Sequence, residues 1–214
     1  DERSLCSTSG DGTLAVYDLR KTGSKGLIAL SDFQEDEFLA MAIVKHGTKV
    51  ICGSQTGVLA IFSWGDWGDQ KDRIKGHPLS VDAIVKLSED GILTGSSDGA
   101  IRVVSVYSDK FGNSVAGTLA EHGEYPVERL ALSPDGDLVA SASHGQPAVR
   151  LWSAEAALRI LVRKGARKLN DEETLGEALA GEADAGGAGG DASDSSDEDE
   201  APKQKRKKRR KAKG

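Results

Sequence analysis

Long apolar runs are missing from this 214-residue chain. No stretch of about 18 apolar residues occurs, so nothing in the sequence reads as a membrane-crossing helix. The N-terminus is polar and lacks a signal-peptide core, which argues against export. Cysteine is scarce, with only Cys6 and Cys52, both on expected strands of different repeats; we read them as buried, reduced thiols of an intracellular protein. Catalytic punctuation is missing as well: the sequence holds no phosphate-binding glycine loop, nucleophile motif or metal-ligand cluster. The four histidines, His46, His77, His122 and His144, are scattered without ligand spacing. The expectation is a non-enzyme with no cofactor and no metal.

Charge is present but segregated. Residues 169–202 carry 12 acids and no Lys or Arg, and residues 203–214 carry 9 Lys and Arg and no acid. Taking those charges from the net −6 leaves −3 on residues 1–168, a nearly neutral body with a block-charged tail. Such a body is not expected to grip RNA by itself.

Glycine marks a repeat. In Asp90–Tyr107, DGILTGSSDGAIRVVSVY, a short apolar segment meets Asp98-Gly99 and returns through Ile101, Val103 and Val104, the pattern of a tight hairpin. Leu5–Asp18 and Val50–Ser63 repeat it, with Gly12, Gly57 and Gly99 at spacings of 45 and 42 residues. Leu138–Ser153 fits with one extra residue near His144-Gly145. A period in the low forties built from short strands predicts an all-β fold of four-stranded β-propeller blades, each stable only when stacked on neighbours.

These residues resemble the WD-repeat family. Gly76-His77 stands at that family's Gly-His, Asp98 at its turn aspartate and Trp152 at its tryptophan, while the closing dipeptides read Tyr17-Asp18, Phe62-Ser63, Val104-Ser105 and Trp152-Ser153. The resemblance implies a bracing hydrogen-bond network using His77, Ser96 and Asp98, with Asp11, Asp18 and Trp152 at matching positions in other blades. Val104 would end the blade's chain early. It also implies seven blades in a closed ring. Residues 1–163 supply three and a half to four, and the chain opens on Asp1 inside a blade, so a C-terminal fragment of a larger propeller is expected over a complete four-bladed ring.

Two features of the body and three of the tail point to partners. The loop Ser63–Arg73 carries Trp64 and Trp67, read as a strand-end plug or an exposed aromatic contact. Tyr17, Asp18 and Arg20 look like the box by which some WD-repeat proteins dock on the propeller adaptor of cullin-4 ubiquitin ligases, with Arg20 as the contact held by Asp18. Residues 164–180 read as a short helix or docking segment, and 181–214 as a disordered linker with an acidic then a basic tract. In the acidic tract Ser193, Ser195 and Ser196 are candidate phosphorylation sites for acid-directed kinases. In the basic one Lys203, Lys205, Arg206, Lys207, Lys208, Arg209, Arg210, Lys211 and Lys213 form a nuclear or nucleolar import signal. That tract would engage an import receptor and, weakly and without sequence preference, RNA.

The order of features resembles the WD repeat-containing protein 55 family. The carrying residues are SGDG at Ser9–Gly12, ICGSQTGVLAIFSWGDWG at Ile51–Gly68, TGSSDGAIRVVSV at Thr94–Val106, HGEYPVERLALS at His122–Ser133, and the charged tail. The resemblance implies a nuclear and nucleolar scaffold, present also in the cytoplasm, that meets pre-ribosomal factors in ribosomal-RNA processing and large-subunit assembly. Docking on the cullin-4 adaptor is the alternative.

Overall fold

The computed structural model describes residues 3–107 and 113–164. Fourteen strands form four antiparallel sheets, each a simple up-and-down meander. Blade 1 holds β1 (Ser4–Thr8), β2 (Leu14–Asp18) and β3 (Leu27–Leu30). Blade 2 holds β4 (Phe38–Val44), β5 (Lys49–Ser54), β6 (Leu59–Ser63) and β7 (Asp72–Ile74). Blade 3 holds β8 (Val81–Ser88), β9 (Gly91–Ser96), β10 (Ala100–Ser105) and β11 (Ser114–Glu121). Blade 4 holds β12 (Val127–Leu132), β13 (Leu138–Ser143) and β14 (Arg150–Ser153). These are WD-type blades, in the register that the turn glycines predict.

Why such short strands persist is clear from their burial. β5 is buried on both faces, with Val50 and Cys52 packing towards blade 1 and Ile51 towards blade 3. β9 does the same one blade on: Ile92 joins the core shared with blade 2, and Leu93 the one shared with blade 4. Period-2 alternation thus sends successive side chains into different cores, and each fully buried aliphatic contributes roughly 1.5–3 kcal/mol. β1–β3 and β12–β14 have one open face each, where Leu5, Tyr17, Leu27 and Leu30, and Leu138 and Leu151, are exposed.

The turn glycines join neighbouring blades. Gly99 has φ +82°, and a Cβ there would lie 2.0 Å from the carbonyl oxygen of Gly123 in the loop that enters blade 4. Gly12 and Gly57 press on Gln34 and His77 in the same way, so the repeat conserves an inter-blade contact as well as a hairpin.

Residues 154–164 form a helix, α1, directly after the third strand of blade 4. Ala154, Ala157 and Leu161 face the core against Leu93, Val103 and Val139. Gly91 makes room for Leu161, whose Cδ2 would be 2.5 Å from any Cβ at that position. The helix therefore covers the blade 3 face beside blade 4. The expected docking segment at 164–180 lies, beyond residue 164, outside the described residues, as does the whole tail.

Candidate protein-interaction surfaces and blade bracing

Among the described residues, blade 4 joins a histidine, a strand serine and a tryptophan by hydrogen bonds, with His144 rather than an aspartate before its turn glycine. His122 Nε2 and Trp152 Nε1 both lie 2.7 Å from Ser141 Oγ, and the two rings meet edge-on at 6.1 Å. Gln146 flanks the other imidazole nitrogen at 3.3 Å. Trp152 thus donates to Ser141, and neither Ser141 nor His122 was singled out as a bracing residue from the sequence.

Blade 3 is braced differently from the expectation. His77 Nε2 lies 2.8 Å from Thr94 Oγ1, not on Ser96, whose hydroxyl turns to the Asp98 amide at the hairpin. Asp98 reaches neither histidine nor tryptophan; it makes a two-pronged bond to Arg102, with Nη1 3.0 Å from Oδ1, and accepts from the Ala100 amide. Burial pushes the Asp98 carboxyl up, but the Arg102 bond and charge, the Ala100 amide and the Ser96 hydroxyl together hold the group below the usual carboxylate range. Burial, reinforced by the Arg102 charge, drives the His77 imidazole down to about 4, so it is neutral at pH 7.

Of these groups blade 2 keeps only the serine, Ser54, whose hydroxyl accepts from the Val58 amide at 3.2 Å. Register pairs Cys52 with Ala60 where blade 3 pairs Thr94 with Arg102, and Thr56 precedes the turn glycine in place of Asp98. Burial raises the Cys52 thiol, which packs as a small apolar side chain beside Phe62.

In blade 1, Asp11 braces only its own turn, accepting from the Thr13 amide at 3.0 Å and the Thr13 hydroxyl at 2.7 Å. Asp18, at the end of β2, is 5% exposed and grips Arg20 through Nε and Nη2, both at 2.9 Å. Those bonds hold the Asp18 carboxyl far below its ordinary range. Arg20 remains 61% exposed, a fixed guanidinium beside exposed Tyr17 and Leu19.

Two surfaces follow. At the hairpin-turn end, the first strands β4, β8 and β12 lie side by side. Leu39, Asp82, Ser97, Pro126, Glu128 and Arg129 line a depression of about 420 Å³ there. The hydroxyls of Ser80 and Ser97 both donate to Asp82, fixing its carboxylate at this rim. The opposite end carries Arg20, Trp64 and the β4–β5 turn. Trp67 packs into the blade 1–2 core while Trp64, stacked edge-on against it at 4.9 Å, stays 38% exposed, so the pair divides the two roles weighed for it. In the turn, Lys45 and His46 both adopt positive φ, 55° and 51°. Lys45 pairs with Asp90, and the His46 amide donates to Glu89 at 2.6 Å, stapling blade 2 to blade 3. Sequence reasoning missed this staple, because no pattern predicts two successive left-handed non-glycine residues.

Among the described residues no group of three or more His, Cys, Asp or Glu could hold a metal, and no helix is long and apolar enough to cross a membrane. The basic residues at 203–213 and Ser193, Ser195 and Ser196 lie outside the described residues.

The WD domain, G-beta repeat, matches residues 113–153, which include the three strands of blade 4. The chain is 41% identical over 155 residues to WD repeat-containing protein JIP5 of Coprinopsis cinerea, covering 68% of this chain and 37% of that protein. It is 41% identical over 159 residues to WD repeat-containing protein 55 of Arabidopsis thaliana, covering 74% and 42%, respectively. With WD repeat-containing protein 55 of Bos taurus it shares 36% over 162 residues, 76% of this chain and 40% of the relative. The chain thus spans about two fifths of the length of these curated relatives.

Proposed function

The chain is a WD-repeat protein similar to WD repeat-containing protein 55, and on that premise we propose that it is a non-enzymatic scaffold in ribosome production. Its part would be in ribosomal-RNA processing and large-subunit assembly within the nucleolus. The observation that carries this reading is the similarity itself, which covers 74% of the chain, beside the acidic and then basic tract of its sequence. The blades supply rigid loop surfaces for protein partners, in keeping with a repeat family that works by binding. Nine cations between residues 203 and 213 suit an import receptor and, weakly, RNA phosphates. The test is affinity purification of the full-length protein with identification of what comes with it. Large-subunit precursor particles are the expected companions. Recovery of a cullin-4 adaptor without them would contradict the reading.

A second reading rests on Arg20. An exposed guanidinium held two-pronged by a buried carboxylate is pre-organised for a protein interface, as docking on the ligase adaptor would require. Arg20→Ala removes that contact without touching the core, so loss of adaptor co-precipitation from a folded variant would support it.

A further inference from the structure

Blade 2 has an alanine, Ala60, where blade 3 has the internal Arg102, and a cleft stands in that corner. In blade 3 the corner beside the β9–β10 hairpin is filled by Arg102 on Asp98, a pair only 15% and 16% exposed. The same register in blade 2 presents Ala60 and Thr56, neither long enough to fill that corner. The result is an opening of about 450 Å³ lined by Gln34, Asp36, Thr56 and Ala60, with Phe33 and Arg73 on its walls.

Two acids, Glu35 and Asp36, line the cleft, and Asp32, Glu37 and Asp69 stand outside its lining. The loop that enters blade 2 carries Asp32, Glu35, Asp36 and Glu37, and Asp69 approaches Gln34 at 3.3 Å. None of these five carboxylates has an ion-pair partner among the described residues. Asp36 is anchored through Oδ2 to the Thr56 hydroxyl and amide, which fixes the carboxylate at the wall. Phe33 is 71% exposed, a large aromatic left in solvent beside unpaired acids. A guanidinium satisfies both features: its charge meets the carboxylates, and its plane stacks on the ring.

We propose that this cleft binds an arginine side chain from a basic segment of a partner protein. The arginine enters where Arg102 lies in the next blade, with Asp36 and Glu35 as its acceptors and Phe33 covering its stem. Arg73, the single cation of the lining, stands on the facing wall and donates to carbonyls of the bound peptide. A nucleic acid would bring phosphates against the Glu35 and Asp36 carboxylates of the lining, so its binding is disfavoured here. The inference does not depend on the ribosomal reading, and either can fail while the other stands.

The test uses the full chain and a fluorescein-labelled nine-residue peptide of alternating arginine and glycine, followed by fluorescence anisotropy. The double variant Thr56→Asp with Ala60→Arg rebuilds the blade 3 pair inside blade 2 and fills the cleft. Peptide affinity is expected to fall by about tenfold or more, the scale of one charge-assisted contact. Phe33→Ala with Glu35→Gln, both at exposed side chains, should weaken binding with an unchanged thermal transition, and decides the matter if the filled variant does not fold. Unaltered affinity in a folded variant would overturn the proposal and place the peptide elsewhere, such as on the acidic tract. Equal binding of a single-stranded RNA or of an alternating glutamate–glycine peptide to the unmodified chain would also overturn it.

Discussion

Trp152 donates its indole proton to the same Ser141 hydroxyl that meets His122, each contact 2.7 Å long. One side-chain oxygen thus joins the loop entering blade 4 to its second and third strands. Removing that oxygen leaves two ring nitrogens without partners, one on buried His122 and one on partly buried Trp152. Ser141→Ala should therefore destabilise the chain by about 2 kcal/mol, and Trp152→Phe, which removes one donor, by about 1–2 kcal/mol. Urea midpoints at equal slope would measure both, and a Ser141→Ala protein as stable as the parent would show that the network is not needed.

Two glycines with nearly equal φ should respond very differently to a methyl group. Gly99 at +82° presses on the Gly123 carbonyl, whereas Gly136 at +78° faces open space. Gly136→Ala should cost only the left-handed backbone strain, about 1 kcal/mol. Gly99→Ala adds a backbone clash and should lower solubility or the melting temperature far more. Matched thermal melts of the two variants make the comparison, and equal losses would contradict the inter-blade role of the turn.

Stability should fall as the pH drops from about 6.5 to about 4. The His77 imidazole is held neutral in the fold down to about 4, whereas the unfolded chain protonates it near 6.5. In that window the unfolded state binds more protons, so acid favours it. His122 is depressed in the same direction, first by burial, and adds to the slope. Asp18 does not contribute there: its carboxyl is depressed below an ordinary value of 3.8, so its effect is lost only at lower pH. Denaturation midpoints at pH 7 and 4.5 test this, with His77→Gln expected to flatten the dependence; an equal slope in that variant would contradict it.

The fold was legible because its repeat is written in turn residues, Gly12, Gly57 and Gly99, which also serve the inter-blade contacts. The bracing was less so. Thr94 and Ser96 share one side of β9, so alternation cannot decide which hydroxyl meets His77; the hairpin amide of Asp98 claims Ser96. His122 escaped notice because it precedes its glycine and lies five residues before β12, where His77 follows its glycine and lies four before β8. The spacing of Ala154, Ala157 and Leu161 is helical, but choosing helix over strand required the pocket at Gly91. The blade 2 cleft has no motif at all. It is visible only when Ala60 is laid over Arg102 by strand register.

We propose a scaffold role in ribosomal-RNA processing that does not pass through Arg20. The most direct measurement is the level of precursor ribosomal RNA in cells depleted of the protein and supplied with full-length protein carrying Arg20→Ala. Arg20 is 61% exposed and serves no core, so the variant should fold and reach the nucleolus normally. The account expects precursor to accumulate on depletion and to return to normal with the variant. A folded, correctly localised Arg20→Ala protein that fails to restore processing, or precursor levels that never change on depletion, would contradict it.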